Sequence, residues 1–219
     1  MGIALKAVLA ALIGYAFGCL SSGLIISRLF GQIDIREHGS GNAGTTNVLR
    51  TLGWLPSFLT FLGDTVKGVA AALIGQALAG DIGMHLGGLF AIVGHNWPVI
   101  FRFKGGKGIS TSFGYIIVFD WRIALILVAV QAILLISSGY MSLASIASAI
   151  GFFVCTLIFG KPWMYILFSG IATAMALFSH RANIKRLLTH TENKLDVKKI
   201  SQKSKQTMDK IKSRKKDGK

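Results

Sequence analysis

The sequence predicts an all-α polytopic membrane protein of seven transmembrane helices, with the N-terminus outside and the C-terminus cytoplasmic. Three observations predict it. Hydrophobic residues fill 52% of the 219 positions and charged residues 15%, against roughly 25% charged in soluble domains, which leaves too little polar surface to cover a water-soluble globule. Apolar stretches recur at close to the roughly 20 residues that a helix needs to cross a bilayer's hydrocarbon. The basic residues between them fall almost entirely on alternate connections, as expected when Lys and Arg collect on the cytoplasmic side.

The stretches follow in order. Residues 4–26 form an apolar run that continues past Cys19 and reads as a retained span rather than a removed signal. Residues 55–79 form the second span, with Asp64 and Lys67 three positions apart on one helical face, either a structural ion pair or a functional one. Residues 84–101, 121–137, 141–159 and 163–178 are four more. Residues 109–119 are too short to cross alone, and charge decides whether they count. With seven crossings, one side holds Arg28, Arg36, Arg50, Arg102, Lys104, Lys107 and the basic C-terminus, and the other only Lys6, Arg122 and Lys161. With six, the basic C-terminus would face away from the two basic loops. Seven crossings put every long polar connection on the cytoplasmic side, where any chemistry is expected.

The net charge of +15 is concentrated at one end. From Arg181 onward there are 14 Lys or Arg and 4 acidic residues. Residues 1–192 therefore read as the membrane domain and 193–219 as a basic tail, disordered or a weakly helical surface anchor. Such a tail attracts anionic lipid at about 1 kcal/mol per cation near the surface, and no nucleic-acid partner is expected from a charge placed beside a hydrophobic body. Cys19 and Cys155 lie in apolar runs without a CxxC or a histidine at ligand spacing, which indicates neither disulfide nor zinc.

Three cytoplasmic segments carry residues suited to phosphate. The first, HGSGNAGTTNVLRTLG at 38–53, contains GxGxxG from Gly39 to Gly44. It follows a transmembrane run rather than a buried strand, which excludes a dinucleotide fold. Gly39 and Gly41 still allow backbone amides to converge on an anion, a helix starting near Thr45 adds its positive end, and Ser40, Asn42, Thr46, Asn47 and Arg50 add hydrogen bonds and a guanidinium fork. A Gly-rich connector with a satisfied helix cap is the alternative. The second, GHNWPVIFRFKGGKGIST at 94–111, sets Lys104 and Lys107 among glycines. It is not a Walker A loop, because Gly108 stands where Ser or Thr would coordinate magnesium. Mobile phosphate-binding cations and plain membrane anchoring both fit, and His95 reads as a hydrogen-bonded core residue. The third, beginning FSHRANIKRLL, places His180 and Asn183 on one helical face, where a histidine can orient a substrate or move a proton. Ser142 and Ser145 open the sixth span beside a tight turn at Gly139, as caps or as donors into a shared site. HEXXH, GxSxG and HX4D are absent.

Taken together, GSGNAGTTNVLRTLG, GDTVKG, GHNWPVIFRFKGGKGIST, SLASI and HRANIKRLL resemble the PlsY family, bacterial membrane glycerol-3-phosphate acyltransferases that use acyl phosphate as donor. The likeness spans nearly the whole chain up to about Asn193, departing at His190, where the family commonly has glycine before the acidic residue, here Glu192. It implies seven helices with cytoplasmic motifs, and transfer of a fatty acyl group from acyl phosphate to the 1-hydroxyl of sn-glycerol 3-phosphate, giving lysophosphatidic acid and phosphate. By resemblance, Ser40, Asn42, Thr46 and Asn47 hold phosphate or the reacting centre. Arg50 and Lys104 bind the acceptor's phosphate with Ser142 assisting, and His180 with Asn183 positions acceptor or donor. Neither metal nor cofactor is expected, and a soluble acyl-phosphate-producing enzyme becomes a candidate partner. The acceptor proton could pass to His180 or to a substrate phosphate. A transporter of a phosphorylated metabolite would need polar groups across the whole bilayer and often an internal repeat, neither of which is seen. An acyltransferase using acyl-CoA or acyl carrier protein is the nearer alternative.

Overall fold

The computed structural model describes residues 2–217, which form ten α-helices with no strand among the described residues. The expected first span is two helices, α1 (Ile3–Cys19) and α2 (Ser22–Gly31), separated by extended backbone at Leu20 and Ser21. A helix break in apolar surroundings leaves carbonyls that need donors, and Lys67 supplies them, its Nζ donating to Gly18 O at 3.1 Å and Leu20 O at 2.7 Å. Lys67 also lies 2.8 Å from Asp64 Oδ1 and 2.8 Å from His95 Nδ1. The Asp64–Lys67 pair thus fastens α1 to α4, and His95 is the hydrogen-bonded core residue expected of it.

After the short α3 (Thr45–Leu52), α4 (Trp54–Asn96) folds back on itself at Ala79 and Gly80, where φ is +61° at the glycine. Its two arms are the expected spans 55–79 and 84–101. They pack backbone to backbone: a Cβ at Gly75 would lie 2.0 Å from Gly83 O, and one at Gly87 would lie 2.3 Å from Ala71 O, an approach open only to small residues. The second arm stops at Asn96, five residues short of expectation. Pro98 lacks an amide hydrogen and disfavours helical geometry at Trp97, so Val99–Phe101 forms a 3-10 turn instead.

α5 (Ile109–Phe119), α6 (Trp121–Ser138), α7 (Met141–Ile158) and α8 (Trp163–Ser179) match the remaining predicted segments to within a few residues. α9 (Arg181–Leu188) bends 62° away from α8. By length and composition, Ile3–Gly31, Trp54–Phe101, Trp121–Ser138 and Met141–Ile158 can each cross a membrane, and the bent α8–α9 pair makes a fifth segment. Ile136, Ile158 and Trp163 are more than 70% exposed, which suits contact with lipid rather than water. Inside, Tyr115, Phe119, Tyr165 and Phe168 cluster around the buried His85, whose Nδ1 meets the Tyr115 hydroxyl at 2.7 Å. The basic tail takes the helical alternative: α10 (Val197–Asp217) presents Ile200, Ser204 and Thr207 inward against α3.

Candidate active site

The chain between α2 and α3 is shaped by one amide. Asn47 is 2% exposed; its Nδ2 donates to the carbonyls of Ile35, His38 and Asn42 at 2.9–3.0 Å, and its Oδ1 accepts the Ser40 N–H at 2.9 Å. Gly39, at φ +59°, lies so near that a Cβ there would come within 2.2 Å of Asn47 Oδ1. Asn42 Oδ1 accepts the Gly44 N–H at 3.0 Å just before α3 begins. These contacts turn the α3 N-terminus, with Thr45 and Thr46, toward a cavity. Thr45 Oγ1 meets Ser110 Oγ at 3.2 Å and Gly105 O accepts the Ala43 N–H at 3.4 Å, which ties the first glycine-rich loop to the second.

The cavity holds about 720 Å³, inside the roughly 300–1,000 Å³ range of small-molecule sites. Its polar end is bordered by Ser40, Asn42, Thr46, Arg50, Lys107, Ser142, His180 and Asn183; its other walls, from α5 to α8, carry Phe113, Ile116, Leu127, Leu135, Phe152 and Ala172. Arg50 is half-buried, its Nη2 donates to Asn193 O at 3.0 Å, and its buried Nε has no partner. Burial presses the Arg50 guanidinium below its ordinary range, against the pull of Glu192. Lys107 Nζ donates to Asn183 Oδ1. Burial, with repulsion from Arg186 and Arg50, lowers the Lys107 ammonium to about 8.

Glu192 organises the opposite wall. Its Oε1 accepts from Ser142 Oγ at 2.9 Å and Asn183 Nδ2 at 2.8 Å, and its Oε2 accepts from Arg186 Nε at 2.6 Å. Burial would raise this carboxyl, but the three hydrogen bonds outweigh it and hold the group below its ordinary value. His180 is buried, with Nδ1 2.8 Å from Ala176 O. A carbonyl can only accept, so Nδ1 carries the hydrogen, and in the neutral ring Nε2 is then the proton acceptor.

The structure gathers most of the sequence-predicted residues at one place but separates their tasks. Ser40, Asn42, Thr46, Arg50, Lys107, Ser142, His180 and Asn183 border the cavity; Asn47, which also lines it, has its amide wholly engaged by the first loop. Ser142 and Asn183 are engaged with Glu192. Gly39 and Gly41, both at positive φ, shape the loop without lining the cavity. Lys104 is exposed and outside it. The sequence marks Glu192 only as the acid that ends the third motif and gives Arg186 no signal of its own; an isolated acid between Arg186 and Lys194 is the cue to their pairing. Asp64, ion-paired with Lys67 at 2.8 Å, also reaches the cavity.

Comparison with known proteins places these features in one lineage. Residues 8–190 match the family described as glycerol-3-phosphate acyltransferase. A glycerol-3-phosphate acyltransferase of Thermoanaerobacter pseudethanolicus is 43% identical over 192 residues, 88% of this chain and 97% of the relative. One of Clostridioides difficile is 40% identical over 198 residues, with the same two coverages. A crystal structure of PlsY (YgiH), an integral membrane glycerol 3-phosphate acyltransferase, in its glycerol 3-phosphate form, superposes with a TM-score of 0.83 at 34% identity, covering 89% of this chain and 98% of that one. Its lysphosphatidic acid form gives 0.81 at the same identity, covering 89% and 97%. With its membrane helices, its polar-ended apolar cavity and this similarity along nearly its whole length, the chain belongs to the PlsY-type glycerol-3-phosphate acyltransferases.

Proposed function

We propose that the protein transfers a fatty acyl group from acyl phosphate to the 1-hydroxyl of sn-glycerol 3-phosphate, giving lysophosphatidic acid and inorganic phosphate. The observation that carries this reading is the cavity's division into a cationic end, with an unpartnered Arg50 Nε, and apolar walls between α5 and α8. One end suits phosphate and the other an acyl chain. The solved relatives are a glycerol 3-phosphate form and a lysphosphatidic acid form, an acceptor and a product of matching chemistry.

In this mechanism Arg50 and Lys107 hold the phosphate of the acceptor, while Ser40, Thr46 and the first amides of α3 face the donor's phosphate. The acceptor hydroxyl oxygen attacks the acyl carbonyl carbon, an ester C–O bond forms, and the bond between that carbon and the phosphate oxygen breaks. The hydroxyl proton passes to His180 Nε2 or directly to a phosphate oxygen, and leaves with the phosphate. Acyl phosphate is already a mixed anhydride with a good leaving group, so neither a covalent acyl-enzyme nor a metal is required by the chemistry. Holding both reactants in register contributes up to roughly 7–11 kcal/mol, and donors directed at the developing oxyanion add a few more. Ser142, Asn183 and Arg186 act through Glu192, which fixes the wall against which Lys107 is set.

Seven crossings accommodate this site: α1 with α2, the two arms of α4, α5, α6, α7 and α8. The N-terminus then lies outside, and the cationic end faces the cytoplasm of a bacterial inner membrane. Water-soluble glycerol 3-phosphate and a soluble acyl-phosphate-producing enzyme are available on that side. The test is to offer labelled glycerol 3-phosphate to purified protein with acyl phosphate, acyl-CoA or acyl carrier protein as donor. Lysophosphatidic acid is expected from acyl phosphate, and product from acyl-CoA alone would overturn the donor assignment.

A further inference from the structure

The C-terminal segment lies beyond the family match, which ends at residue 190, and the alignment that covers 97% of the Thermoanaerobacter relative covers 88% of this chain. Yet the segment is fastened on both sides of the cavity. Leu195 N–H donates to Gly139 O at 2.9 Å and Lys194 Nζ lies 5.2 Å from the centre of the Tyr140 ring, at the α6–α7 turn. Across the cavity, Asn193 O accepts from Arg50. α10 then lies against α3 so closely that Trp54 N–H donates to Ser204 Oγ at 3.0 Å, and a Cβ at Gly53 would come 2.6 Å from Ser204 Cα.

Between this segment and the first glycine-rich loop lies a second chamber of about 320 Å³. Arg50, Lys194 and Lys199 line it with one carboxylate, Asp196, and the Lys194 ammonium is turned to the Tyr140 ring. It shares Ser40, Arg50 and Asn193 with the main cavity, so Arg50 stands at the junction of the two. Lys199 is held loosely, with its Nζ 3.8 Å from Asp196 and its side chain 81% exposed. A lysine in that state is a point charge on a flexible stem, suited to meeting a phosphate without fixing its orientation.

We propose that this chamber is a capture site for a phosphate monoester, built by the C-terminal segment, that delivers glycerol 3-phosphate to Arg50 with Lys199 as the steering residue. The inference rests on the acyltransferase reading of the main cavity. A phosphate monoester carries about −1.5 to −2 charges at pH 7, and a concave surface lined by cations concentrates such an anion and speeds its arrival. Arg50 then takes over with the fixed fork that Lys199 lacks.

The experiment uses the whole chain in zwitterionic detergent and compares K199E with K203E, another exposed lysine one turn along α10 that does not line the chamber. K199E is expected to raise KM for glycerol 3-phosphate about five- to tenfold at low salt, with kcat and the KM for acyl phosphate within about twofold, an effect that shrinks as ionic strength rises. K203E should match the wild type, and D196N, which removes the opposing charge, should lower KM. Calorimetric titration with glycerol 3-phosphate should show Kd moving in parallel. Equal behaviour of K199E and K203E in both readouts would overturn the capture site, as would a fall in kcat at unchanged KM. A wild type that forms no lysophosphatidic acid, yet binds glycerol 3-phosphate in a Lys199-dependent way, would leave the chamber standing and remove the catalytic reading.

Discussion

The two ends of the helix bundle use charge in opposite ways. At the α5–α6 turn, Asp120 caps α6 through the Arg122 N–H at 3.0 Å and pairs with Arg122 at 2.8 Å and with Lys161 at 2.7 Å. Both cations of that cluster contact the one carboxylate, and it closes the α5–α6 and α7–α8 connections onto each other. At the opposite end, Arg50 and Lys107 bond only to the neutral Asn193 O and Asn183 Oδ1, the Arg50 Nε is buried without a partner, and the Lys107 ammonium is lowered to about 8. Cations set on a carboxylate hold the fold together; cations held only by neutral groups await an anion. The contrast separates binding cations from anchoring ones better than the count of basic residues does.

The largest expected effect tests the cationic end. Arg50→Ala should reduce kcat/KM for glycerol 3-phosphate on the order of 100-fold, the size of a lost charge-assisted contact of about 2–3 kcal/mol, and chiefly through KM. Unchanged steady-state kinetics would take Arg50 out of the site. The next effect follows from Lys107. A lysine lowered from 10.5 to about 8 is charged below that pH and loses its charge above it, so kcat/KM, which reports the free enzyme, should fall about tenfold between pH 7 and 9. Lys107→Arg should abolish that inflection; if it persists, another group titrates. Lys104 provides a smaller test, because it is exposed and outside the cavity: Lys104→Ala should leave kcat/KM within about twofold, whereas the family resemblance implies a phosphate contact there.

The paired end should respond in stability alone. Hydrogen bonds from Arg122 oppose the burial of the Asp120 carboxyl and hold it well below the ordinary carboxylate range. Its contribution is therefore present above about pH 4 and lost as pH falls below that. Asp120→Asn should lower the unfolding temperature at pH 7, lose that penalty in acid, and leave kcat/KM within about twofold. A loss of activity at neutral pH would mean that the two ends are coupled.

Much of this was legible along the chain because bilayer physics is one-dimensional. A helix must satisfy its own backbone bonds in lipid, so apolar length marks α6, α7 and α8 to within a few residues. Breaks were harder to see. The interruption of the first span at Leu20 and Ser21 is stabilised by Lys67, which is 47 residues away from Leu20, and no local pattern announces such a partner. The site divided along the same line: glycines, amides and cations identified the loops, but Asn47 looked like a ligand and serves as the clasp of its own loop. Glu192 is visible in the sequence only as the acid that ends the third motif; its role is set by three donors that come from α7 and α9.

Composition and spacing by themselves determined that this chain is a membrane bundle with phosphate-suited loops, because hydrophobic length and the availability of polar groups are properties of a segment. Which cations face an anion, which are already paired, and that the C-terminal segment crosses from the α6–α7 turn to α3 were decided by tertiary structure. Those outcomes depend on distances between residues remote in sequence, and electrostatic energy is set by such distances and by burial.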